Sequence, residues 1–134
     1  MLPMKKILFS IFYLLSSILF AQKTTTQQYI EQYKDIAIRE MKHYGVPASI
    51  TLAQGILESD NGNSPLAKKA RNHFGIKCTS DWKGKTFRYD DETRKEYFRK
   101  YKQDEDSYAD HSEFLKNRPN YAFLFELESD DYKG

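Results

Sequence analysis

Cysteine occurs once in the 134 residues, at Cys78, so no disulfide can close within the chain and its stability has to come from packing. The stretch "IKCTS" offers no helix start that would lower the thiol pKa, so Cys78 reads as a small buried hydrophobe rather than a nucleophile. No GxSxG elbow and no phosphate-cradling glycine loop is present, which removes serine-nucleophile and nucleotide chemistry. The three histidines, His43, His73 and His111, are scattered without HExxH or paired spacing, so neither a metal site nor a cofactor is expected.

Long apolar runs are also lacking, except at the start. Lys5 and Lys6 precede "ILFSIFYLLSSILF", which ends at Ala21 before the polar "QKTTTQQ". That run falls short of the roughly 20 apolar residues that span a bilayer as a helix, and no second one follows. Residues 1–21 therefore read as a secretory signal peptide and 22–134 as the exported domain, in the periplasm or outside the cell. Leu19 is larger than the residue preferred three positions before a cut, and no cysteine follows for lipidation.

An excess of either charge is missing as well. Without the leader, the 21 Lys and Arg lose Lys5 and Lys6, and 19 remain to balance 19 Asp and Glu. A neutral chain is a poor match for nucleic acid. The Lys68, Lys69, Arg71 cluster reads as a solvated helix face that could at most touch an anionic polymer.

What is present divides into helical and β-rich parts. From Thr25 to His43, Ile30, Tyr33, Ala37 and Met41 follow helical spacing, with Thr25 and Gln28 set as a capping box and Gly45 and Pro47 as a stop. A second helix follows Pro47, with Ile50, Ala53 and Leu57 as its apolar face, and is expected to be buried. "SDNGN" is a turn, and Ser64-Pro65 caps a short helix "PLAKKARN". Aromatic and β-branched residues then concentrate in "FGIKCT", "KTFRYD" and "EYFRKY", which predicts a small antiparallel hairpin or sheet. Helical spacing resumes at Asp104–Ser107, with Tyr108, His111 and Leu115 on one face, until Arg118-Pro119. "YAFLFEL" is too short to stand alone. The class is α+β: a mainly helical body with a small antiparallel β flap.

Glu58 ends the second helix, and Ile50, Gln54 and Leu57 lie on its side one or two turns back. Partial desolvation of its carboxyl is the expectation, and burial favours the protonated form. A carboxylic acid kept protonated can donate to a leaving glycosidic oxygen, and an ionised partner completes the equipment for glycoside hydrolysis. Asp90, Asp91 and Glu92 supply acidic candidates at the hairpin tip. Trp82, Tyr89, Tyr97 and Tyr121 offer rings that could stack on sugars, although core packing is the plainer assignment for most of them.

The ordered set "AQGILESDNGNSPLA", "NHFGIK", Trp82 with Gly84 and Lys85, and "SYADHSEFL" resembles the bacterial glucosaminidase domain, family seventy-three of the glycoside hydrolases, from about Tyr29 to Gly134. The resemblance implies a lysozyme-like helical body and cleavage of peptidoglycan glycan strands after N-acetylglucosamine; a monomer is expected. It implies Glu58 as the catalytic acid, Asp91 or its neighbour Asp90 as second carboxylate, and Tyr121 as a tyrosine of the cleft. Gln54, Asn72, Phe74 and Trp82 are implied as substrate contacts. Asp60 and Asn61 depart from the glycine and aromatic residue commoner before Gly62. The alternative of a different class is a wall-binding or assembly module that keeps the cleft without turnover. "ESDDYKG", with Ser129 as a cap, announces a further helix that the family carries and this sequence does not include.

If the leader is cleaved on export, the soluble product begins near Gln22. Mass spectrometry of the exported protein checks this, and an intact N-terminus in the membrane fraction would contradict it.

Overall fold

The computed structural model describes residues 22–91 and 94–126. The leader, Glu92 and Ser129 lie outside them, and for Asp90 and Asp91 only the backbone is described. The elements run α1 (Thr26–Tyr44), α2 (Ala48–Ser59), α3 (Pro65–Ala70), β1 (Lys85–Asp91), β2 (Arg94–Lys100), α4 (Asp104–Asn117) and a 3₁₀ helix (Pro119–Phe125). The α+β class with a helical body and a two-stranded antiparallel flap is what the sequence led one to expect.

Local chemistry sets most boundaries. The Thr25 hydroxyl accepts from Gln28 N–H at 3.3 Å while the Gln28 side chain accepts from Thr25 N–H at 2.9 Å, the reciprocal box that satisfies two orphan donors. At the other end of α1, Gly45 turns left-handed at φ 87° and donates to the Met41 carbonyl. Ser64 caps α3 by accepting from Ala67 N–H at 3.1 Å. Asp104, Glu105 and Asp106 place negative charge in the first turn of α4, where the helix dipole favours it.

The core corrects the expected face of α2. Ile50 is 46 % exposed and Leu57 80 %, and Ala53 is exposed too, whereas Thr51, Gly55 and Ser59 are buried. The cause is the partner surface. Tyr29 of α1 and Tyr108 of α4 are both fully buried, and their hydroxyls meet at 2.7 Å directly against α2. A Cβ on Gly55 would sit 2.5 Å from the Tyr29 hydroxyl oxygen, so only the smallest residue lets α2 approach. Leu52 and Ile56 flank this small stripe and pack on the cluster of Tyr29, Tyr33, Phe74, Ile76 and Tyr108. On α1 the buried stripe is likewise Tyr29, Tyr33, Ala37 and Glu40, with Ile30 and Met41 only half-buried.

In the flap, β1 and β2 pair from Lys85↔Lys100 to Asp91↔Arg94. The segment "FGIKCT" is not a full strand. It adds a single bridge, Lys77↔Phe98, with Cys78 N–H donating to the Tyr97 carbonyl and Arg99 N–H to the Ile76 carbonyl. Cys78 is half-buried, and burial raises its thiol pKa.

Asn72, expected to touch substrate, has a different job. It is 1 % exposed, donates to the carbonyls of Ile76 and Arg99 at 2.9 Å each, and accepts from Ile76 N–H at 3.1 Å. With its amide spent on backbone, it fastens the loop after α3 to β2.

Gly55→Ala gains up to about 1 kcal/mol of helix propensity yet forces Tyr29 out of its hydrogen bonds. We expect a net loss of about 2–4 kcal/mol, read from the urea midpoint. A more stable variant would show that the tyrosine pair can move freely.

Candidate active site

Ser59 is fully buried, accepts from Gly62 N–H at 2.7 Å and donates to the Gly55 carbonyl. Neighbouring helix positions point about 100° apart, so anchoring Ser59 in the core turns Glu58 outward. Glu58 therefore stands exposed on the last turn of α2, on the wall of a cavity of about 360 Å³. The expected partial burial of its carboxyl is not found, because Leu57 and Ile50 face solvent beside it rather than a packed neighbour. Glu58 has no hydrogen-bond or ion-pair partner among the described residues.

Opposite Glu58 the chain turns through Gly75 at φ +65°, where a Cβ would lie 3.8 Å from Glu58 Oε2. The left-handed conformation favours glycine there, and the missing side chain keeps the approach to the carboxylate open. Phe74 and His111 form a stacked wall, with ring centroids 3.9 Å apart and planes 15° off parallel. Phe114 and Tyr121 add further rings, Tyr121 from the 3₁₀ helix at 37 % exposure. Lys77, salt-bridged to Glu96 at 2.8 Å, and Arg118, stacked on Phe114 at 4.0 Å, bring positive charge.

Two buried polar atoms on this wall lack partners among the described residues: Gln54 Oε1 and His111 Nδ1. Orphaned buried polar groups cost about 1–3 kcal/mol each. In a cleft they are sites waiting for a ligand's hydrogen bonds. Burial holds the imidazole of His111 down to about 4 against the opposing charge of Asp110, so it is neutral at pH 7.

The structure thus unites Glu58, Gln54, Phe74 and Tyr121 around one cavity and adds His111, which its spacing with Leu115 marked only as core. Nothing in the spacing distinguished a cleft histidine from a packed one. Trp82 is not part of this group. It lines a separate cavity beyond α4, where its indole N–H donates to the Lys85 carbonyl at 3.0 Å and its ring lies under Arg99 at 4.7 Å. Tyr89 and Tyr97 are 43 % and 52 % exposed on the flap, not core. Asp90 and Asp91 occupy the last two positions of β1, in register with Lys95 and Arg94 at the hairpin tip. Among the described residues no group of acidic, histidine or cysteine side chains could hold a metal.

A helical body, a β flap and a partnerless glutamate over an aromatic-walled cleft define the class of lysozyme-like glycoside hydrolase domains. Residues 34–134 match the family described as mannosyl-glycoprotein endo-beta-N-acetylglucosaminidase, and the chain belongs to this glucosaminidase family. It is 36 % identical to the exo-glucosaminidase LytG of Bacillus subtilis, over 98 % of this chain and 56 % of that protein. It is 27 % identical to the peptidoglycan hydrolase FlgJ of Vibrio parahaemolyticus, over 82 % of this chain and 39 % of the relative. The chain thus spans about half or less of these relatives. Among solved structures, the glycoside hydrolase domain of Salmonella typhimurium FlgJ superimposes with a TM-score of 0.69 at 27 % identity, covering 78 % of this chain and 69 % of that one. A peptidoglycan hydrolase from Sphingomonas sp. A1 gives 0.65 at 32 % identity, covering 72 % and 65 %.

His111 also generates a pH signature. Its folded pKa of about 4 lies below the ordinary 6.5, so between these values the unfolded chain binds a proton that the folded one refuses. Stability falls as pH drops through 6.5 and the loss levels off below about 4. At pH 5 this amounts to about 2 kcal/mol. His111→Phe, which keeps the ring stack on Phe74, should lose about that much less between pH 7 and pH 5 in urea titrations. Identical pH dependence in the two proteins would contradict a buried neutral imidazole.

Proposed function

We propose that the chain is the catalytic domain of an exported peptidoglycan hydrolase that cuts glycan strands at the bond after N-acetylglucosamine, with Glu58 as general acid. The observation that carries this is Glu58 standing unpartnered at a cavity with Phe74, Tyr121 and the orphaned polar atoms of Gln54 and His111. About 360 Å³ is within the range of small-ligand sites and takes part of a glycan strand rather than a whole one.

Aromatic rings offer apolar faces to the C–H faces of sugars; the orphaned Gln54 oxygen suits a sugar hydroxyl or an acetamido N–H, and His111 Nδ1 suits a sugar hydroxyl in either tautomer. Glu58 is solvated in the free protein, so the water-excluding step falls to the substrate. A sugar seated against Phe74 and Tyr121 covers the carboxyl, disfavours its charged form and leaves it positioned to protonate the leaving oxygen. The second role belongs to Asp91 or Asp90, arriving from the flap as base or charge stabiliser, or to the substrate's own acetamido group. Membership of the glucosaminidase family supports the substrate class, and the apolar leader supports export.

Glu58→Gln keeps shape and removes the transferable proton. Release of muropeptides from purified peptidoglycan should fall by a factor of roughly 10² to 10⁴, with the melting temperature unchanged. Identification of the new reducing-end sugar as N-acetylglucosamine tests the bond. Wall binding with no muropeptide release by the wild type would instead make the domain a binding module.

A further inference from the structure

Helix α4 has two working faces. His111, Phe114 and Leu115 look into the Glu58 cavity, while Asp106, Ala109, Asp110 and Glu113 line a second and larger cavity of about 850 Å³ on the other side. The far wall of that cavity is Trp82 with Lys83, Lys85, Lys100 and Lys102.

Trp82 is held rigidly. Its N–H is bound to the Lys85 carbonyl at 3.0 Å, Arg99 sits on the ring at 4.7 Å and Tyr101 meets it edge-on at 5.9 Å. A Cβ on Gly84 would be 2.3 Å from the indole, so the loop closes tightly against it.

The lysines are unbalanced. Lys85 and Lys100 are direct partners in the β1–β2 register, a like-charge pairing that costs stability. None of the four has an ion pair within 4 Å among the described residues. Asp110 cannot answer them, because both its oxygens are taken by Arg99 at 2.9 and 3.0 Å and by the Tyr101 hydroxyl. Asp106 and Glu113 remain as acceptors for a cation on the opposite wall. A ligand suited to this lining carries several carboxylates and at least one amine, with small apolar groups for Trp82 and Ala109.

Resting on the proposed substrate, we propose that this second cavity binds the peptide branch of a glycan strand seated in the Glu58 cavity. Such branches are short peptides with free carboxylates and a free amine. An extended peptide reaches about 3.3–3.6 Å per residue, so four residues span about 13–14 Å. That is enough to cross a helix of about 10–12 Å diameter. Glycan and peptide would then straddle α4, and the domain would read its substrate on both sides of one helix.

The test uses a soluble stem tetrapeptide, binding measured by calorimetry, and glycan strands with and without their peptides. The wild type should bind the sugar-free peptide and cut peptide-bearing strands about fivefold or more faster than stripped ones. Lys100→Glu turns the like-charged cross-strand pair into an opposite one, so its melting temperature should hold or rise. In that variant peptide affinity should drop at least about tenfold and the rate ratio should fall toward one. No peptide binding together with equal rates on both strands would overturn the proposal, as would tight binding of a poly(glycerol phosphate) with none of the peptide. If neither strand is cut, the glycosidase reading fails, and the calorimetric result still decides the peptide site.

Discussion

Tyr108, Tyr29, His73 and Asp104 form one hydrogen-bonded line through the middle of the helical body. The tyrosine hydroxyls are 2.7 Å apart, Tyr29 reaches His73 Nδ1 at 2.9 Å, and His73 Nε2 lies 3.3 Å from Asp104. An ionised carboxylate only accepts, so Nε2 carries a proton. With a neutral ring the whole chain then points one way, from Tyr108 to Tyr29 to His73 to Asp104. Burial would raise the Asp104 carboxyl, but hydrogen bonds from His73 and Tyr33 and the charge of Arg71 outweigh it and hold it below the usual range. Buried polar lines of this kind are costly if half satisfied and specific if complete. Here it fixes α1, the loop after α3 and α4 against each other without a disulfide.

The site follows from that line. Because two tyrosine hydroxyls occupy the centre, α2 can approach only through Thr51, Gly55 and Ser59, and its larger residues are turned away. That rotation carries Glu58 to the cleft. The same core supplies the opposite wall, since Phe74 stands edge-on to Tyr108 at 4.9 Å while stacking on His111. Packing and site are thus two sides of the same rings.

Much of this was legible in the sequence, for reasons that differ by feature. Caps and stops depend on a few neighbouring residues, so Thr25, Gly45, Ser64 and Pro119 announced helix ends that the structure contains. Glu58 was legible only as part of an ordered set of motifs. The face of α2 was misread because apolar periodicity assumes an apolar partner surface, and here the partner is a pair of hydroxyls. Asn72 was placed with the substrate although its amide is consumed by backbone, and Trp82 stands across α4 from Glu58 rather than beside it; residue type carries no information about which long-range neighbour claims a side chain. His111 was missed for the converse reason, a core-like spacing in a residue that borders the cleft.

Trp82 is the only tryptophan in the chain, and it stands between Arg99 and the loop at Gly84, on the wall of the larger cavity and apart from Glu58. The protein's intrinsic indole fluorescence is therefore a local optical probe. A change in its emission reports events on one side of α4 without any label, while occupancy of the glutamate cleft alone leaves the indole's immediate surroundings as they were.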